Sequence, residues 1–145
     1  MSRKIRNRGK PAITIDAALV DQLQGLAFSA LNRMPALADR LLEEIERARL
    51  LPASKLPKTV VTLGSEVTFQ DDVTGKIQTV VLVLPPEADI GKRRVSVLTP
   101  IGVALLGLRE GASISWDTRA DERRNLTVLS VRAPDLELAH GTAME

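Results

Sequence analysis

The spacing of apolar residues changes once along the chain, and this change limits the fold more than any other feature. Before Pro52, apolar side chains recur every three or four residues, which is the spacing of one helix face. After Thr59, short runs alternate polar and apolar residues or are rich in Val and Leu, as strands are. The segment 52–59 between them contains Pro52 and Pro57, has no period, and is interpreted as a linker. Helices followed by strands predict an α+β fold.

Two short helices are predicted in the first part of the chain. Asp16 is suited to cap the first helix, and Pro35 suits the first position of the second, where its missing N–H costs nothing. The break between them is short, so we expect an antiparallel helical hairpin that ends before Pro52. Glu43 and Arg47 stand four residues apart, in the favourable order for an ion pair. The apolar faces comprise Leu19, Leu23, Leu26 and Ala30, and then Leu37, Leu41, Leu42, Ile45 and Ala48.

The second part predicts an antiparallel sheet with one short helix. Thr99 and Pro100 form a helix start, a hydroxyl cap followed by proline, and Gly107 is placed to end that helix in a left-handed conformation. The strands are expected at 66–70, 76–84, 94–98, 113–117 and 125–132, and the helix at 101–106. The predicted organisation is a basic tail at 1–13, the hairpin at 14–51, the sheet domain at 60–133 and a flexible tail at 134–145.

Side chains that carry most enzyme chemistry are scarce. The chain has no cysteine, which excludes thiolate catalysis and cysteine zinc sites, and its one histidine, His140, lies in the C-terminal tail. Its aromatic residues are Phe28, Phe69 and Trp116, too few for an aromatic-lined pocket or a base-stacking surface. We therefore expect no catalytic residue, no metal and no cofactor, and a protein that is not an enzyme.

The positive charge is concentrated at the start of the chain. The net charge is only +2, yet the first ten residues hold five cations and no acid. Such a block is typical of a disordered tail, and weak contact with nucleic acid is the alternative. No apolar run is long enough to cross a bilayer, so a cytoplasmic, monomeric protein is expected. The five cations are Arg3, Lys4, Arg6, Arg8 and Lys10.

Two groups of carboxylates suggest chemistry but have simpler explanations. Asp71 and Asp72 could be a pair for acid–base work, but they precede Thr74 and Gly75 in a turn, where Asp is favoured for backbone hydrogen bonding. A second group lies on the second helix among arginines and is interpreted as a solvated face. Its members are Glu43, Glu44 and Glu46.

Two segments resemble the C-terminal domain of the Gre transcript-cleavage factors. Residues 61–69 (VTLGSEVTF), with Asp72 and Thr74-Gly75 after them, are similar to that family's first hairpin. Residues 95–112 (VSVLTPIGVALLGLREGA) are similar to its strand, helix cap, apolar helix and glycine turn. The resemblance implies an FKBP-like α+β domain, and the order of elements predicted above agrees with it. Prolyl isomerase activity is not expected, because the aromatic residues that line such a pocket are missing.

The resemblance implies binding to bacterial RNA polymerase at the rim of its secondary channel. Gre factors reach through this channel with a long coiled coil whose tip acids hold a magnesium ion, whereas the hairpin here is short. The short hairpin is similar to the branch of regulators of nucleoside diphosphate kinase. Membership of that branch implies competition with Gre factors, no transcript cleavage, and an indirect effect on the kinase. The candidate polymerase contacts are Thr99, Pro100, Ile101 and Leu105, and the hairpin tip comprises Met34, Pro35 and Asp39.

Two alternative functions stay open. The first is transcript cleavage that uses Asp39, the one acid near the tip, although its place in the first turn of a helix is the simpler explanation of a negative charge there. The second is direct DNA binding through the basic tail.

Overall fold

Two helices form the first part of the structure, a computed structural model that describes residues 10–117 and 123–134. Helix α1 spans Val20–Ala30 and helix α2 spans Pro35–Arg47. They pack against each other, and Leu23, Ala30, Leu41 and Ile45 of the predicted apolar faces are buried. Ala27 and Ala38, which were not part of those faces, are buried as well. In the part of the chain that the structure describes, neither these helices nor any other is both long and apolar enough to span a bilayer.

The turn before α1 and the start of α2 follow the local chemistry of the sequence. The Asp16 carboxylate accepts a hydrogen bond from the Ala18 N–H at 2.9 Å, but the turn it caps precedes α1, whose own start at Val20 has no side-chain cap. The turn it caps, Ala17–Leu19, is a 3-10 turn that leads into α1. Pro35 occupies the first turn of α2 as predicted.

The base of the hairpin is tied together by two strands that the sequence pattern did not predict. Strand β1 (Thr14–Asp16) enters the hairpin, strand β2 (Arg49–Leu51) leaves it, and the two pair in parallel, Thr14 opposite Arg49. The Thr14 N–H also donates to the carbonyl of Gly107 at 3.1 Å. The hairpin is therefore hydrogen-bonded to the second part of the chain at its base.

A five-stranded sheet forms the second part of the structure. Its spatial order is β5-β4-β3-β7-β6, and neighbours are antiparallel except β4 and β5, which are parallel. The α+β class is confirmed, while the sheet is mixed where an antiparallel one was expected. The strands are β3 (Glu66–Asp71), β4 (Ile77–Val83), β5 (Arg94–Ser96), β6 (Ser113–Asp117) and β7 (Arg123–Arg132).

One continuous hydrophobic core joins the hairpin to the sheet. Leu23 and Leu41 of the hairpin, Val67 and Leu82 of the sheet, and Leu105 of the short helix all belong to one cluster and are fully buried. The hairpin therefore shares its core with the sheet domain, and its second helix packs against the short helix. The assignment of residues 60–133 as a separate domain stays a prediction.

A buried ion pair lies at the base of the hairpin, in what we call the base clamp (Lys10, Pro11, Glu44 and Arg47). Glu44 was expected on a solvated face, but it is only 3% exposed, so that prediction is wrong for this residue. Arg47 holds both Glu44 carboxylate oxygens at 2.9 Å and donates to the Pro11 carbonyl at 2.6 Å. Arg47 thus pairs with Glu44, three residues away, and not with Glu43 as the spacing suggested.

Candidate functional site

The start of the short helix α3 (Pro100–Leu105) is the first candidate contact region. The Thr99 hydroxyl accepts a hydrogen bond from the Gly102 N–H at 3.0 Å and donates to the Ser96 carbonyl at 2.7 Å. Pro100 follows at the first helical position, so the predicted cap is confirmed. One hydroxyl therefore joins the end of β5 to the start of α3 and sets the angle between them.

Two glycines allow this region to pack closely. A Cβ added to Gly102 would collide with the carbonyl oxygen of Ser96 and lie 2.8 Å from the Cα of Val97. Gly107 has a φ of +81°, as predicted for the end of the helix, and a Cβ there would lie 2.9 Å from the Cβ of Ile13. Both ends of α3 are thus pressed against neighbouring backbone.

The structure separates the four predicted polymerase contacts into two kinds. Thr99, Pro100 and Ile101 are consecutive and half-buried, so part of each side chain reaches solvent. Leu105 is fully buried in the core, and a direct contact with a partner would require it to leave that core. We call the three accessible residues the helix-start patch (Thr99–Pro100–Ile101).

The hairpin tip lies at the turn between α1 and α2. The Met34 N–H donates to the Ala30 carbonyl at 2.8 Å, Met34 is half-buried, and Pro35 is exposed. Asp39 is exposed, but it is the fifth residue of α2 and so lies beyond the first turn in which it was expected. No hydrogen bond or ion pair between described residues joins this tip to the helix-start patch.

The charges at the tip do not fit the magnesium ion that the resemblance raised as an expectation. Residues 31–40 contain one acid, Asp39, and two cations, Arg33 and Arg40. Asp39 lies about 6 Å along the helix axis from Pro35, and the next acid, Glu43, lies about 6 Å further from the tip. Within residues 10–117 and 123–134, no three acidic, histidine or cysteine side chains come close enough to hold a metal ion. A hard divalent cation prefers neighbouring carboxylate oxygens, which this tip does not offer.

Asp71 performs the turn chemistry that the sequence predicts, whereas the Asp72 side chain bonds to strand β7 instead. Asp71 Oδ1 accepts hydrogen bonds from the Thr74 N–H at 3.1 Å and the Val73 N–H at 2.8 Å, while its Oδ2 lies 2.9 Å from Arg124. The Thr74 hydrogen bond is the main cause that lowers the pKa of the Asp71 carboxyl below its ordinary value. Asp72 accepts a hydrogen bond from the Thr127 hydroxyl at 3.0 Å. Both carboxylates are therefore engaged in holding the β3–β4 turn beside β7.

Of the five cations in the basic tail, only Lys10 lies within the described residues. Its ammonium group is 3.7 Å from the Glu44 carboxylate, so it serves the base clamp. Arg3, Lys4, Arg6 and Arg8 lie outside the described residues, as does His140. The clamp itself was missed, although the position of Glu44 between Leu41 and Ile45 on the apolar stripe was a signal for its burial.

Comparison with known proteins agrees with this geometry. Residues 56–133 match the family "Transcription elongation factor, GreA/GreB, C-term". The chain is 35% identical over 125 residues to the regulator of nucleoside diphosphate kinase of Escherichia coli, covering 84% of this chain and 90% of that protein. It is 30% identical over 122 residues to transcription elongation factor GreA of Rickettsia felis, covering 81% of this chain and 75% of that protein.

A solved structure shows the same fold over most of the chain. The prokaryotic transcription elongation factor GreA/GreB from Nitrosomonas europaea superposes with a TM-score of 0.66 at 29% identity, covering 85% of this chain and 99% of that chain. The family match spans more than half of the sequence, and the relatives extend it through the hairpin. The resemblance found in the sequence is confirmed: the chain belongs to the GreA/GreB family of transcription elongation factors.

Proposed function

We propose that this protein is an RNA polymerase-binding regulator that occupies the secondary-channel region, competes with Gre factors and cleaves no transcript. The observation that carries the proposal is a Gre-type sheet domain joined to a short hairpin whose tip lacks paired acids. Helix α2 has 13 residues, which gives it a length of about 20 Å. Such an arm can enter the mouth of a pore, but it supplies no carboxylate pair at its end.

The binding part of the proposal rests on the helix-start patch. Thr99, Pro100 and Ile101 belong to the strand–cap–helix segment that the chain shares with the family. The cap and the close packing at Gly102 hold them in one geometry, so little conformational freedom is lost on binding. We therefore propose that this patch contacts the channel rim and that Leu105 supports it from the core.

The link to nucleoside diphosphate kinase comes from the printed name of the E. coli relative. We propose that any such effect of this chain is indirect and follows from altered transcription. The carboxylates of Asp71 and Glu44 are engaged in structural contacts, in a turn and in the base clamp.

A competition experiment tests the proposal. Fluorescently labelled full-length protein is titrated with core RNA polymerase, and unlabelled GreA is then added. We expect binding at micromolar concentration or tighter, full displacement by GreA, and the same affinity after deletion of residues 1–9. Binding that GreA does not displace, or no binding at all, would overturn it.

Transcript cleavage is tested in the same system. Stalled elongation complexes with magnesium are incubated with this protein or with GreB as a positive control. We expect no shortening of the transcript with this protein and slower cleavage by GreB when both are present. Cleavage that is lost in Asp39→Asn would instead establish the alternative in which the tip supplies a metal ligand.

A further inference from the structure

The loop between β4 and β5 presents an isolated apolar side chain. Ile90 is 93% exposed, more than any other large apolar residue in the described part of the chain. Asp89 and Arg94 close the neck of the loop with two reciprocal backbone hydrogen bonds of 2.9 Å each. The Asp89 carboxylate also accepts from the Lys92 N–H at 3.3 Å. These bonds hold Ile90 at the apex of a preformed loop, which we call the Ile90 loop (residues 89–94).

The backbone of the Ile90 loop contains an unusual residue. Arg93 has a φ of +59°, the one left-handed residue other than glycine in residues 10–117 and 123–134. Glycine and asparagine adopt this conformation at lower cost than arginine does. Backbone strain of this kind is one ground for assigning a function to the side chain that carries it.

The Ile90 loop holds three cations and one acid, Asp89, and a second acid, Glu87, lies two residues before it. Lys92, Arg93 and Arg94 are all exposed, and none of them forms an ion pair with another described residue. An apolar anchor followed by three exposed cations is complementary to a protein surface that has an apolar pit beside acidic side chains. Nucleic acid is a poorer match, because isoleucine has no flat face on which a base could stack.

The Ile90 loop and the helix-start patch lie at the two ends of one edge strand. Strand β5 is the edge strand on one side of the sheet. The Ile90 loop leads into this strand at Arg94, and Thr99 lies five residues after Arg94. Five extended residues span at most about 17 Å, so one partner surface can reach both. We propose, on the basis of the function proposed above, that the Ile90 loop is a second docking element that inserts into an acidic, apolar-pitted surface of RNA polymerase.

Matched substitutions test the apolar anchor. Ile90→Ser removes it, and Val73→Ser is the control, because Val73 is 67% exposed in the β3–β4 turn. We expect Ile90→Ser to bind core polymerase at least about tenfold more weakly and Val73→Ser to bind like the wild type. Thermal unfolding should be unchanged in both variants, since neither side chain is buried.

Arg93→Gly tests the charge without disturbing the loop. Glycine favours the left-handed conformation, so this variant should unfold at the same temperature as the wild type or a higher one. We expect its affinity for polymerase to be lower than that of the wild type by at least about threefold at low salt, and by less at high salt.

The outcomes separate the two proposals. Wild-type protein that does not bind polymerase refutes the function proposed above and this inference together. Wild-type binding with no loss in Ile90→Ser or Arg93→Gly refutes only the inference. Binding to DNA and to anionic lipid vesicles is measured in parallel. Variants that lose affinity only for one of these, and not for polymerase, would also refute the inference, because they would assign the loop to another partner.

Discussion

Removing the guanidinium of the base clamp should destabilise the protein strongly. Arg47→Met keeps the length of the side chain and its packing, but it deletes two 2.9 Å bonds to Glu44 and one bond to the Pro11 carbonyl. The Glu44 side chain is only 4% exposed and would be left with Lys10 alone, 3.7 Å away and itself a third exposed. Removing one partner of a buried ion pair is strongly destabilising, because it leaves the other charge buried without compensation.

The expected magnitude follows from these contacts. Breaking a buried pair by removing one partner costs about 3–5 kcal/mol, and Lys10 offsets part of this cost. The Pro11 carbonyl loses a donor, which adds about 1 kcal/mol where water does not replace it. We therefore expect Arg47→Met to lower the free energy of unfolding by about 3 kcal/mol. Urea denaturation followed by the fluorescence of Trp116, the one tryptophan, measures this change.

Two further variants make the interpretation testable. Glu43→Gln removes an exposed acid one position away and should change stability by less than about 0.5 kcal/mol. Glu44→Leu combined with Arg47→Met removes both charges, and it should be more stable than Arg47→Met alone. A cost below about 1 kcal/mol for Arg47→Met, or a double variant less stable than the single one, would refute the argument that the pair is buried and interdependent.

Other positions give separate predictions. Gly102→Ala should lower stability by at least about 1–3 kcal/mol in urea denaturation, because its Cβ would collide with the Ser96 carbonyl; an unchanged midpoint would show that the helix start can shift freely. Leu105→Ala should cost about 2–5 kcal/mol through a core cavity, and a cost below about 1 kcal/mol would contradict its full burial. Asp71→Asn should alter the pH dependence of stability: the Thr74 N–H lowers the native pKa of Asp71, so its charged form stabilises the fold above the unfolded pKa, and this contribution is lost as pH falls through the native value. The unfolding temperature of the wild type should therefore exceed that of Asp71→Asn at about pH 7, and the gap should shrink as the pH falls to about 3. A gap that stays constant over this range would contradict the argument.

The helix boundaries could be predicted because each depends on chemistry within a few residues. Asp16 and Thr99 accept hydrogen bonds from the N–H groups two and three residues later, and Gly107 needs only its own left-handed conformation. The turn at Asp71 is equally local, since both N–H donors to its Oδ1 lie within three residues. Short-range geometry of this kind is visible in a single sequence.

The features that were missed depend on residues far apart in the chain. Arg47 reaches the Pro11 carbonyl across 36 positions, and this contact makes the base of the hairpin a buried site. Strands β1 and β2 have three residues each, too few to show an alternating pattern, and their parallel pairing exists only once the hairpin has closed. The parallel pairing of β5 with β4 likewise follows from the path of the chain rather than from local preference.

In the candidate site, the features set by neighbouring residues could be predicted, and those set by distant residues could not. The cap residues Thr99 and Pro100 mark the start of α3. Only this start of the six-residue helix reaches solvent, because the four residues from Gly102 onward are buried. Burial of Leu105 depends on how the hairpin packs over α3, which spacing does not reveal. Ile90 carries no periodic signal, and its exposure becomes visible only when the hydrogen bonds at the neck of its loop are known.

The parallel β1–β2 pair and the bond from Thr14 to Gly107 make the base of the hairpin its anchored end. Its other end is only the turn between Ala30 and Pro35. Whole turns inserted there would lengthen the arm by about 5.4 Å each and leave the joint with the sheet unchanged. The length of the arm and the surface of the sheet domain can therefore change independently of each other.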